Sequence, residues 1–220
     1  MATHLLIDYY ISPNSARKLE LDLCYKDNIK NSSFDKIHVF TNDEVPESNG
    51  KVVINSYEKR LTYRDYFEYA KNNIPKDDTI VLSNSDMFFD NTIAKVSNYD
   101  LDKHVLTLTR WSSENHHDPT DDGHSIINNQ FIPFKLDYCS QDVWVFKNPL
   151  KNIEKSNCDF TLGILGCDNK IAYAFSEMGY IPLNPSVDIL TYHNHATGNA
   201  TRTYERVWLP RPYLFVPTVF

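Results

Sequence analysis

Glycine is scarce, with six residues in a chain of 220, and none falls between the first apolar run and the helical stretch after it. Neither Gly-x-Gly-x-x-Gly nor Gly-x-x-x-x-Gly-Lys-Ser/Thr occurs, which disfavours dinucleotide and P-loop nucleotide sites. The four cysteines, Cys24, Cys139, Cys158 and Cys167, form no Cys-x-x-Cys pair. That spacing signals neither a zinc ribbon nor a thioredoxin-type centre, and the thiols read as buried. Runs such as Thr79–Leu82 and Val143–Phe146 fall far short of the roughly 20 apolar residues that span a bilayer. No basic cluster is present, and 22 Lys and Arg against 29 Asp and Glu give a net charge of −7. Such a balance argues against non-specific nucleic-acid binding. Met1-Ala2-Thr3-His4 leads directly into an apolar run without a secretion signal, so a cytoplasmic address is expected.

What is present suffices for a packed core: 41% of residues are apolar and 13% aromatic, which excludes disorder. Apolar runs of strand length alternate with amphipathic stretches of helix length, the pattern of an α/β protein. His4–Ile11, Lys36–Thr41, Lys51–Ile54, Thr79–Leu82, His104–Thr109 and Gln141–Phe146 read as strands. Ile181–Pro182 and Ile189–His193 read as short extended pieces. Helices are expected over Ala16–Lys30, Leu61–Asn73 and Cys167–Met178, the last stopped by Gly179. Trp111–Lys135 has no period and reads as a long loop. Residues 1–206 form one expected domain; 207–220 form an apolar, proline-bearing tail that packs on the body or leads to a further domain.

The strand Thr79–Leu82 delivers Ser83-Asn84-Ser85-Asp86 at its carboxyl end, where open α/β sheets bind ligands. Alternate residues project to one side, so Asn84 and Asp86 are placed to face a divalent cation bound by hard oxygen ligands. The same residues also suit a plain turn. His193 and His195 likewise alternate, and imidazole favours manganese over magnesium. The loop cluster His116, His117, Asp118, Asp121, Asp122 and His124 lacks helical zinc spacing and reads as a solvated face.

The order Arg60-Leu61-Thr62-Tyr63-Arg64-Asp65-Tyr66, an apolar strand, Ser83-Asn84-Ser85-Asp86, Gly166-Cys167-Asp168-Asn169, Gly179-Tyr180 and Tyr192-His193-Asn194-His195 resembles the GT-A-fold nucleotide-sugar glycosyltransferases over most of the chain. Within them it is similar to the small glycosyltransferase domains with which large algal viruses decorate their capsid protein. The resemblance implies a mixed, mostly parallel central sheet flanked by helices, a UDP-sugar donor, and a glycan or glycoprotein acceptor, reached in a host cytoplasm. It implies a manganese or magnesium ion on Asp86, with His193 or His195 completing the shell and Asn84 and Ser85 beside it. The family's Asp-x-Asp is here Asn84-x-Asp86, a departure at the first acid. Asp8, Tyr9 and Tyr10 match where the family holds the base, Asp43 where an acid meets uracil, and Arg64 or Arg60 the arginine that precedes the metal motif.

Asp168 matches the family's catalytic base, at a helix start whose backbone N–H groups also lower its basicity. Asp142, an acid entering an apolar strand, is the competing choice. Two other readings stay open. One is a nucleotidyltransferase, which shares the architecture; the other is a degenerate glycan-binding module that has lost turnover.

Overall fold

The computed structural model describes residues 1–112, 132–133, 141–194 and 207–219. In chain order its elements are β1 (Thr3–Asp8), α1 (Ser15–Lys30), β2 (Lys36–Phe40), β3 (Val52–Asn55), α2 (Tyr63–Asn73), β4 (Thr79–Ser83), β5 (Met87–Phe89), β6 (His104–Thr109), β7 (Trp111–Ser112), β8 (Ile132–Pro133), β9 (Gln141–Lys147), α3 (Cys167–Glu177), β10 (Ile181–Leu183) and β11 (Thr191–His193). A 3-10 turn over Asn91–Asn98 follows β5. Each expected strand and helix is present with its ends moved by a few residues, whereas β5 and its 3-10 turn carry no alternation and escape a pattern search.

Seven strands form the central sheet in the order β10-β6-β9-β4-β1-β2-β3. All run parallel except β9, which lies antiparallel between β4 and β6. The carboxyl ends of β1, β2, β4 and β6 therefore share one edge, and the start of β9 joins them there. The sheet is a mixed, mainly parallel one flanked by helices; the alternation of apolar runs implies the α/β class, and the resemblance implies this sheet.

Alternation within the strands decides which layer each residue joins. Leu6, Ile80, Leu82, Trp144 and Phe146 face the layer built by α2 and α3. Leu5, Ile7, Val81, Val143 and Val145 face the layer of α1. Because both faces are covered, the central strands are apolar throughout. A second sheet, β5-β11-β7-β8, lies beside α1, where Asn28 and Asn31 donate from their side chains to the carbonyls of Met87 and Phe89, each at 2.9 Å.

Two local devices bear on the edge. First, Leu108 pairs with Val143 but Thr109 pairs with Gln141, so Asp142 is the extra residue of a β-bulge, a feature that re-aims a side chain. Second, Thr62 caps α2 in a reciprocal capping box with Asp65, fixing where that helix starts. The other end of α2 is closed from a distance by Asn148, whose buried amide donates to the carbonyls of Ala70, Ile74 and Pro75 at 3.0, 2.8 and 3.2 Å. Stretch 207–219 lies along the body through bridges from Trp208 to Leu165 and from Thr218 to Asn184. No helix among the described residues is long and apolar enough to cross a membrane.

Removing the Asn148 amide leaves the buried carbonyls of Ala70 and Ile74 and the part-buried one of Pro75 without this donor, and Asn148→Ala is expected to cost about 2 kcal/mol. Urea unfolding reads this directly, and an unchanged midpoint would show that the amide is not what closes the helix.

Candidate active site

Four stretches far apart in sequence bring acids to the carboxyl edge of the sheet. Asp8 ends β1, Asp86 follows β4, Asp142 is the bulge of β9, and Asp168 lies in the first turn of α3. Like charges so close are tolerable only with cations between them, and two arginines provide these.

Arg110 directly follows β6. One of its Nη atoms donates to Asp142 Oδ2 at 2.8 Å, and Asp86 and Asp168 are near enough to add to the field that raises its pKa. Arg17, in the first turn of α1, donates to Glu20 at 2.9 Å and to Asp86 Oδ2 at 2.6 Å. His193 Nε2 meets the same Asp86 oxygen at 3.1 Å. Asn84 turns from Asp86 and donates its amide to Asp142 Oδ1 at 2.5 Å, while Ser85 occupies the turn between them. Glu20, Asp86 and Asp142 against Arg17 and Arg110 leave this end of the sheet acidic.

Asp142 thus accepts one charge-assisted bond and one amide bond, one on each oxygen, and is almost fully buried. Asp168 differs: its carboxyl accepts from the Cys167 thiol at 3.0 Å, and burial, then the Asp142 carboxylate, push its pKa up to about 8. The sequence led us to expect a lowered basicity from the helix N–H groups. Their effect is present but is outweighed by desolvation and by Asp142.

On the other side of the edge, the Tyr66 hydroxyl donates to Asp8, whose pKa is raised, chiefly by burial. Arg60 lies close enough to oppose that rise and donates to the Leu162 carbonyl at 2.5 Å. Arg64 is directed elsewhere, to Asp159 at 2.7 Å and to the Ser156 carbonyl at 3.0 Å. Arg60 is therefore the arginine that faces Asp8. Tyr9 also turns away: its ring is in the core and its hydroxyl donates to Asp22 at 2.6 Å. Tyr10, 41% exposed, is the aromatic that remains at the surface. Asp43 accepts from the Ile11 backbone N–H at 2.8 Å and ties the end of β2 to the turn after β1.

A cavity of about 450 Å³ is lined by Phe40, Asn55, Tyr57, Leu61, Asp65 and Tyr69 among others, and its Tyr57 wall lies in the field of Asp8. Asn42 fixes its Tyr57 wall by donating to the Tyr57 carbonyl at 2.7 Å and accepting from the Tyr57 N–H at 3.2 Å.

A carboxylate oxygen and an imidazole nitrogen meeting at an acidic edge suit manganese. Asp86 and His193 supply two such donors, and among the described residues no three potential ligands come together. A cation there would displace Arg17 from Asp86 and take its remaining ligands from substrate or water. His195, and the loop cluster from His116 to His124, lie outside the described residues.

Solved structures to which the chain is similar include nucleotidyltransferases and a glycosyltransferase. One is 2-C-methyl-D-erythritol 4-phosphate cytidylyltransferase from Francisella tularensis, with a TM-score of 0.48, 16% identity, and 84% of this chain and 89% of that chain covered. Another is the inositol-1-phosphate CTP transferase from T. maritima, at 0.47, 11%, 91% and 94%. The glycosyltransferase TarS of S. aureus matches at 0.49 and 9%, over 88% of this chain and 60% of that chain. No protein-family model matches the sequence, and no curated protein does. What the site can do is decided by its own side chains.

Arg17, Arg110, Tyr57 and Tyr66 were not singled out from sequence. Arg110 had a usable signal, since it follows the last residue of a buried strand as Asp86 nearly does. Arg17 had none, because its partners lie on β4 and on its own helix.

The raised pKa of Asp168 makes a prediction for stability. In the unfolded chain this carboxyl titrates near its ordinary value of 3.8, so between there and about 8 the folded protein holds a proton that the unfolded chain has released. The stabilisation is complete at acid pH and is lost as pH rises through about 8. Asp168→Asn removes this slope. Urea unfolding at about pH 5 and about pH 8 should show a steeper decline for the wild type, and equal declines would contradict the shift.

Proposed function

We propose that the protein transfers a sugar from a UDP-sugar donor to a hydroxyl of a glycan acceptor. The observation that carries this reading is the coupling, at one sheet edge, of the Asp168 carboxyl, its pKa raised, to Asp142 and Arg110, with the Arg17–Asp86 pair at the same edge. The acceptor implied by the resemblance is the glycan of a glycoprotein, such as a viral capsid protein.

In this reading the uracil enters the cavity between Tyr57, Phe40 and Leu61, and Asp8, Asp43 and Arg60 surround the ribose end. The diphosphate then points along the edge toward Asp86. Asp86 and His193, with Asn84 and Ser85 adjacent, would hold a manganese or magnesium ion recruited with the donor. When bound, that ion would offset charge on the departing diphosphate. Arg110 adds fixed positive charge on the same side.

Asp168 is the base. As an acceptor hydroxyl attacks the anomeric carbon, its proton passes to the Asp168 carboxylate, the new glycosidic C–O bond forms, and the bond to the diphosphate oxygen breaks, releasing UDP. A base with a pKa near working pH combines a useful ionised fraction with real basicity. Asp142 is a poor alternative, because both its oxygens already accept strong bonds. Its role here is to hold Arg110 and to raise Asp168.

Two experiments test the reading. Calorimetric titration with UDP is expected to show binding that strengthens with manganese and collapses in Asp86→Ala; absence of UDP binding with and without metal would sink the uridine-donor assignment. Turnover of the competent UDP-sugar, read as UDP release, should rise with pH toward about 8 and fall by about 10²-fold or more in Asp168→Asn. Unaltered turnover in that variant would remove Asp168 from the chemistry.

A further inference from the structure

Trp208 is 63% exposed, a large apolar side chain left in water. It is nevertheless held firmly in place. Its backbone bridges to Leu165, the next N–H, of Leu209, donates to the Leu165 carbonyl at 3.0 Å, Lys170 Nζ donates to the Pro210 carbonyl at 2.6 Å, and the Leu214 N–H donates to the Asn169 carbonyl at 2.9 Å. These ties lay the segment across the start of α3.

The indole lies against Gly166, the residue that leads into α3 and Asp168. Gly166 has φ +80, and a Cβ there would come within 3.2 Å of Trp208 Cε3 and 2.8 Å of the Tyr213 hydroxyl oxygen. The backbone is thus shaped so that the aromatic segment can approach the turn before the base. Lone exposed apolar residues are ordinary. An indole on a segment held by two backbone ties and a lysine, against a turn that admits only glycine, is a built surface.

We infer that Trp208, packed against the turn that leads into Asp168, is the platform on which a pyranose ring of the acceptor stacks. A pyranose has one face of C–H bonds and a rim of hydroxyls. The exposed indole offers dispersion contact to the face, and a carboxylate two residues beyond Gly166 accepts from the rim. This assignment names the acceptor side of the transferase reading and rests on it for the role of Asp168.

The test uses the full chain, labelled with nitrogen-15, and a panel of methyl pyranosides of glucose, galactose, mannose, N-acetylglucosamine, xylose and rhamnose. The chain has three tryptophans, so three indole N–H resonances are expected, with that of Trp208 identified by its loss in Trp208→Phe. At least one pyranoside should shift the Trp208 resonance, and Trp208→Ala should weaken that sugar about tenfold, equivalent to about 1.4 kcal/mol, while Trp208→Phe retains most of the affinity. UDP binding, measured by calorimetry on the same variants, should be unchanged. If no pyranoside moves the Trp208 resonance, or Trp208→Ala binds as well as the wild type, the platform is overturned and the donor site stands. If sugars shift Trp208 but UDP does not bind, the platform stands and the transferase reading falls.

Discussion

Four acids can occupy one end of a sheet only if positive charge is built between them. At an effective dielectric near 20, two like charges about 4 Å apart repel by about 4 kcal/mol, which is a large part of a domain's net stability. Arg110 is the residue that makes the arrangement tenable, because it is bonded to Asp142 and lies in the field of Asp86 and Asp168 together. Arg17 does the same for Asp86 and Glu20. Breaking a buried pair of this kind from one side typically costs about 3–5 kcal/mol, since an uncompensated charge remains. The site and the fold at this edge are therefore a single electrostatic unit.

That unit depends on the one antiparallel strand. Were β9 parallel to its neighbours, its first residues would lie at the opposite end of the sheet and Asp142 would be remote from Arg110. Running antiparallel between β4 and β6 brings its start to the carboxyl edge. The bulge then makes Asp142 the unpaired residue, free of the pleat's alternation. Its backbone carbonyl still accepts from the Asn84 N–H at 3.1 Å, so the turn carrying Asp86 and the bulge carrying Asp142 are held in fixed relation.

Much of this was legible in the residues. The buried strands announced themselves by apolar runs, and the acids Asp8, Asp86, Asp142 and Asp168 stood out because each sits where such a run starts or stops or a helix starts. What escaped was everything that depends on side-chain direction. Tyr9 and Tyr10 are neighbours of the same chemistry, yet one is in the core on Asp22 and the other at the surface; only the twist at the end of β1 decides between them. Arg60 and Arg64 differ in the same way, since Asp159 and Ser156 draw Arg64 off toward the stretch before α3. Of the second sheet only β11 was legible, within the extended piece Ile189–His193; β5 is three residues and β7 and β8 two each, too short for a period to show.

The two candidate bases illustrate why position in sequence could not separate them. Asp168 and Asp142 are both acids at the start of an element. In the folded chain Asp142 receives an amide bond and a guanidinium bond; Asp168 receives one thiol, loses water, and feels Asp142 itself, which raises its pKa. Environments that separate two neighbouring carboxyls in this way divide their roles, one as fixed charge and the other as proton acceptor. The division is set by Arg110, for a guanidinium shared evenly between the two acids would hold both in the ionised form and leave neither basic. By bonding Asp142 directly and reaching Asp168 only through its field, Arg110 creates the asymmetry on which proton transfer at this edge depends.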